Sequence, residues 1–130
     1  MQDFTLLRTG LPSLKFTGEL LANAETNDRE GPPGLGWEID FYRTKGNAYV
    51  VSVIRRTQWQ GQDDYFEVQS FHDGSALATV LRSHNPLARI DLPEDQARAV
   101  RLLSQARNAF DAVATRLYSE LGEQFAEVIE

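Results

Sequence analysis

The chain has 130 residues, of which 42% are hydrophobic and 25% charged, with a formal net charge of −6 and no cysteine. That is enough chain for one ordinary domain with a core, and the missing thiols exclude disulfide scaffolds, thiolate catalysis and cysteine-held metals. The acidic balance sets long-range repulsion against phosphate backbones, so nucleic acid is not an expected partner.

"SLKFTGELLANAE" (Ser13–Glu25) alternates, with Leu14, Phe16, Leu20 and Ala22 on one face, and predicts a half-buried strand bulged at Gly18. "NDREGPPGLG" (Asn27–Gly36) concentrates prolines and glycines and reads as an exposed, mobile loop. Next comes "WEIDFYRTKGNAYVVSVIRR" (Trp37–Arg56). Trp37, Ile39 and Phe41 share one face, Tyr49, Val51 and Val53 repeat the pattern, and Lys45-Gly46 supplies a turn. "TQWQGQDD" is a polar connection, and "YFEVQSFH" (Tyr65–His72) predicts the last strand. The four strands form an antiparallel meander.

The hydrophobic period then lengthens. Asp73 or Ser75 can cap a helix carrying Ala76, Leu77, Val80 and Leu81, which Asn85-Pro86 ends. From Asp91 the pattern is helical to the C-terminus, with Pro93, Glu94 and Asp95 suited to the first turn. The expected fold is one α+β domain over residues 1–130: sheet 13–72, helices at about 75–84 and 92–129, both on one sheet face. Gly122 is a candidate break in the long helix.

The length of that helix carries a consequence. Pro93 to Leu121 spans about 44 Å at 1.5 Å per residue, whereas strands of six to eight residues reach roughly 20–27 Å. The stripe of Phe110, Val113, Leu117, Leu121 and Phe125 therefore needs a cover beyond its own sheet. The Asp73–His84 helix packed alongside is one candidate cover, and a break near Gly122 that doubles the helix back is an alternative; a second copy of the chain is the favoured one, making these residues a homodimer interface.

No catalytic or phosphate-binding motif is present. The candidate contact surface for a protein partner is Tyr42, Arg43, Arg55, Arg56 and Trp59, a basic cluster interleaved with aromatics around the central hairpin. The same composition suits single-stranded nucleic acid as an alternative. Glu38, Asp40 and Glu67 could converge as hydrolytic carboxylates. His72-Asp73 resembles an oriented imidazole, although adjacent strand residues point to opposite faces. His84 sits at a helix end, where a positive charge suits the dipole. Glu94, Asp95, Asp111, Glu120, Glu123 and Glu127 could mimic phosphates, but helical angles scatter them. Two distant histidines predict no metal site, and no cofactor is expected. No apolar run approaches the roughly 20 residues that cross a bilayer. The start, "MQDFTLLRTG", lacks the apolar stretch of a secretion signal. A cytoplasmic, non-enzymatic binding protein without membrane contact is the resulting expectation.

"KFTGELLA", "WEIDFYRTKGNAYVV" and "YFEVQSF" together resemble the uncharacterised bacterial EXLDI-type proteins, in which an FTG-x-L-L strand precedes a YRT-turn-G hairpin. The resemblance covers residues 15–72, and "EVIE" stands where an E-x-L-D-I would be expected. It implies a bacterial origin and assigns no residue a catalytic role.

Overall fold

The computed structural model describes residues 1–129, with side chains described as far as Gly122. Five strands form one antiparallel sheet in chain order: β1 (Gln2–Arg8), β2 (Leu11–Glu25), β3 (Leu35–Thr44), β4 (Tyr49–Thr57) and β5 (Tyr65–Phe71). Two helices follow, α1 (Ala76–Ser83) and α2 (Gln96–Ile129). The α+β class, the meander and the long terminal helix agree with the sequence pattern. The strand count does not: β1 was not expected. Its signal is short, Phe4 and Leu6 turned inward against Asp3, Thr5 and Leu7, closed by a turn at Gly10 with φ 78°.

β1 changes what the second sheet face does. The Phe4 ring packs 5.4 Å from Phe16 and 4.8 Å from Tyr42, centroid to centroid. The sheet curls, so that Thr9 beyond β1 reaches β5: its N–H donates to the Phe66 carbonyl at 2.9 Å and its hydroxyl accepts the Phe66 N–H at 2.8 Å. Tyr42, Val50 and Ser52 are consequently buried inside the curl. Gly18 is needed where β2 crosses β3, because a Cβ there would run into the Arg43 carbonyl. The expected bulge is displaced from Gly18 to the step between Leu20 and Ala22. At the β3–β4 turn, Asn47 rather than Gly46 takes the left-handed conformation, φ 63°; Asn tolerates it better than most residues.

The other face is the main core. Trp37, Ile39, Phe41, Val51 and Val53 meet Leu77 and Leu81 of α1 and Ala106, Phe110, Val113, Leu117 and Leu121 of α2 in a single cluster. α2 starts at Gln96, not near residue 92, because Asp95 does the capping: its Oδ1 accepts the Ala97 N–H at 2.9 Å. The helix passes through Gly122 without a break.

The homodimer argument from this helix is corrected by that cluster. Phe110, Val113 and Leu117 are each 0% exposed within the single chain, and Leu121 is 4% exposed. Phe125 lies outside the described side chains. α1, the segment after it and the β2–β3 loop extend the surface that α2 covers. Among the described side chains of α2, the exposed large hydrophobics are Val100 and Leu103, near its start, and Tyr118.

The loop between β2 and β3 is likewise held rather than free. Glu30 accepts two bonds from Arg116 of α2, at 2.6 and 3.0 Å, and Arg116 also donates to the Glu25 carbonyl at 2.7 Å. Among the described residues, no helix is long and apolar enough to cross a membrane.

Candidate functional site

The five residues expected to form one contact surface are distributed over three places. Strand alternation explains most of this. Residues 37, 39 and 41 of β3 pair with 55, 53 and 51 of β4 and point toward the helices. Arg55 therefore belongs to the inward stripe of Val51 and Val53, and it is 2% exposed. Its Nη1 donates to the Ala88 carbonyl and its Nη2 to the Asp63 carbonyl at 2.8 Å. Burial disfavours its charge. Arg55 is thus removed from the expected surface. The inward register was legible in "VVSVIRR", since a period of two carries straight from Val51 and Val53 to Arg55.

Arg56, its neighbour, points the opposite way. It is exposed and donates to Glu38 at 3.1 Å, with Asp64 3.9 Å away. Tyr42 shares that sheet face, but the register pairs Gly36 with Arg56, six positions from Tyr42 along β3. At about 3.4 Å per residue that is roughly 20 Å. Tyr42 also lies under Phe4 and Phe16, and its hydroxyl pKa is pushed up to about 12, first by burial and then by the nearby Asp40 and Glu38 carboxylates. It cannot act as a surface aromatic. Arg43 is paired with Glu19 at 2.7 Å, across the β2–β3 pairing. Trp59 lies against the β2–β3 loop: its indole N–H donates to the Pro33 carbonyl at 2.8 Å, and its ring closes over Gly34.

Arg56 lines a cleft of about 500 Å³ between the β2–β3 loop and the β4–β5 connection, which Trp59 does not line. Arg56, Gln58, Asp28, Glu30 and Pro33 are among the residues that line it, and Trp59 stands behind Pro33 and Gly34 as its support. The two walls are tied together by the Gln58 N–H donating to the Gly34 carbonyl at 2.8 Å. Gly34, at φ 82°, and the paired prolines give the loop the tight turn that brings it there. Two of the three lining carboxylates, Glu30 and Asp64, are already engaged, whereas Asp28 is exposed. Arg116 holds Glu30 below its ordinary pKa, chiefly through its hydrogen bonds, helped by the Asn27 N–H. Asp64 accepts the Thr57 N–H at 2.8 Å. A cleft lined this way offers fixed hydrogen-bonding groups and one solvent-facing guanidinium.

The carboxylates considered for hydrolysis do not converge. Glu38 and Asp40 share a face and both accept bonds from the Asn23 side-chain amide. Burial raises the Asp40 pKa, and the Asn23 bond works against that rise. Glu67 points to the opposite face, where its Oε2 lies 2.5 Å from His84 Nδ1. That histidine is not the exposed helix-end cation expected. It is buried, its ring stacks on Phe110 at 4.9 Å, and burial lowers its pKa while Glu67 opposes the shift. His72 is exposed, and Asp73 instead accepts the Ser75 N–H at 3.0 Å ahead of α1. Among the described residues, no group of three or more histidine or carboxylate side chains is arranged to hold a metal ion.

Comparison with known proteins found no matching family model, no matching curated protein and no matching solved structure. These comparisons neither support nor oppose the resemblance to EXLDI-type proteins.

Proposed function

We propose that the chain works by binding, and that it holds an extended segment of a protein partner in the cleft between the β2–β3 loop and the β4–β5 connection. The observation that carries this reading is the cleft's construction. Its two walls are rigidly joined at Gln58–Gly34 and Trp59–Pro33, and Arg56 is left facing solvent at its edge. A pre-formed polar groove binds an extended backbone at a low ordering cost. An exposed arginine can then select a carboxylate on the incoming segment.

The same cleft argues against chemistry. General acid–base catalysis needs a group poised near the working pH. Glu30 is instead held below its ordinary pKa by Arg116, Asp64 is bonded to the backbone, and Asp28 stands exposed on the wall. The hydrolytic alternative loses Glu67 to the other sheet face. Homodimerisation remains a proposal without the α2 residues Phe110, Val113, Leu117 and Leu121; among the described side chains of α2, Val100, Leu103 and Tyr118 are the exposed apolar ones a second copy could meet.

The experiment is site-directed photocrosslinking. A photoreactive residue at Gln58, on the cleft wall, should give a discrete protein adduct. The same probe at exposed Ser119 of α2 should not, and Arg56→Glu should abolish the Gln58 adduct. Identical adducts from both positions, or none from Gln58, would refute the reading.

A further inference from the structure

A separate cavity of about 330 Å³ opens beside Tyr65, between the β1–β2 turn, the β4–β5 connection and the segment after α1. Arg55 and Arg89 both line it, and both guanidiniums lie over the Tyr65 ring, 5.6 and 5.8 Å from its centroid. Among the described residues, neither arginine has a carboxylate within 4.0 Å. Arg55 is a buried cation whose Nε–H has no acceptor at all. The nearby Asp64 carboxylate offsets part of the Arg55 charge without pairing with it, burial still disfavours that charge, and a second like charge over the same ring adds repulsion. Arg89 is also held at φ 63°, a conformation residues other than glycine adopt at a cost. Its guanidinium comes within 3.4 Å of where a Cβ on Gly10 would sit, so the turn leaves it room. Arg89, exposed and, among the described residues, without a carboxylate within 4.0 Å, is the donor that an anionic group between the β1–β2 turn and Tyr65 could reach.

The cavity also carries negative groups, which narrows the anion. Asp63 and Asp91 line it and are exposed. Asp64 is bonded to the Thr57 N–H. Carboxylates at the rim repel a phosphate dianion or a nucleic-acid backbone, but they would face an ammonium group favourably. A molecule carrying one carboxylate and one ammonium a short distance apart satisfies both halves. A volume near 330 Å³ lies at the small end of ligand sites.

We propose that this cavity binds a free α-amino acid, its carboxylate on Arg89 above the buried charge of Arg55 and its ammonium toward Asp63 and Asp91. Arg89 supplies the accessible donors. Arg55, closed off from solvent, supplies the field. The Tyr65 ring forms the floor on which both guanidiniums rest.

The test is calorimetric titration of the full chain with a panel of L-amino acids, alongside acetate, methylammonium and inorganic phosphate. At least one amino acid should bind saturably at one site, more tightly than acetate or methylammonium, and phosphate should not compete. Replacing Arg55 endangers the fold, because two backbone carbonyls depend on it, so the deciding variant is Arg89→Ala, on an exposed side chain. It should weaken binding by roughly tenfold or more. Arg43→Glu, six positions along β3 from the Trp37–Arg55 pair, should leave amino-acid binding unchanged. Absence of saturable binding by any amino acid, equal affinity for acetate, competition by phosphate, or an unweakened Arg89→Ala variant would each overturn the proposal.

Discussion

Phe110 decides whether α2 is closed by its own chain or by a second one. Its side chain is 0% exposed, the His84 ring stacks on it at 4.9 Å, and the Arg107 guanidinium lies 5.1 Å from its centroid. Phe110→Ala would remove the ring and leave a cavity between α2 and the sheet. Complete burial of a large apolar side chain is worth about 1.5–3 kcal/mol in transfer. The cavity brings the expected loss for Phe→Ala to about 3–5 kcal/mol. Domains of this kind are stable by about 5–15 kcal/mol, so the variant should still fold, with a lower urea midpoint and an unchanged m-value. The loss should be the same at low and high protein concentration, because no subunit contact is involved. Light scattering in parallel should show the same mass for both proteins. An unaltered midpoint with a change in mass would show that Phe110 faces a partner, and the intrachain account would be wrong.

Three further predictions follow from individual contacts. Gly18→Ala should destabilise by at least about 2 kcal/mol, because the added Cβ meets the Arg43 backbone rather than a movable side chain; an unchanged melting curve would contradict the strand crossing. Asp40 is raised in pKa by burial, so the folded state favours its proton and stability falls as pH rises from the ordinary carboxylate range to the raised value. Asp40→Asn should therefore stabilise the protein at neutral pH, with the gain vanishing in acid; denaturation curves showing a constant difference at every pH would refute this. Glu30 has the opposite sign, since its lowered pKa gives stability above the ordinary carboxylate range that is lost as pH falls through the folded value. Arg116→Ala should cost about 1 kcal/mol at neutral pH and less in acid, and it should speed hydrogen exchange in residues 26–34.

The meander, both helices and the inward stripe of Trp37, Ile39 and Phe41 could be read from the sequence because period-two and period-3.6 patterns are local. β1 escaped because seven residues with only Phe4 and Leu6 inward give a weak alternation, and its effect is not local: it covers Tyr42, which lies distant in sequence. The closing of α2 failed for a related reason. Helix and strand lengths can be compared from sequence, but the area contributed by α1, by the segment after it and by a loop pinned through Arg116 cannot. The candidate surface was legible only in part. Arg56 lines a cleft and Trp59 packs behind its Pro33 wall, whereas the period of β4 turns Arg55 inward despite its charge. No local sequence signal brings Arg55 and Arg89 over Tyr65, since Arg89 arrives through an irregular turn after α1.

The central claim is that the Arg56 cleft recognises a partner, and a binding affinity tests it most directly. With the crosslinked partner in hand, its dissociation constant would be measured against the unaltered chain, Arg56→Glu and Arg43→Glu. The account predicts that Arg56→Glu weakens binding by roughly tenfold or more, while Arg43→Glu, on the opposite sheet face beside Glu19, changes it little. Equal losses from both variants would mean that net charge, and not the cleft, attracts the partner.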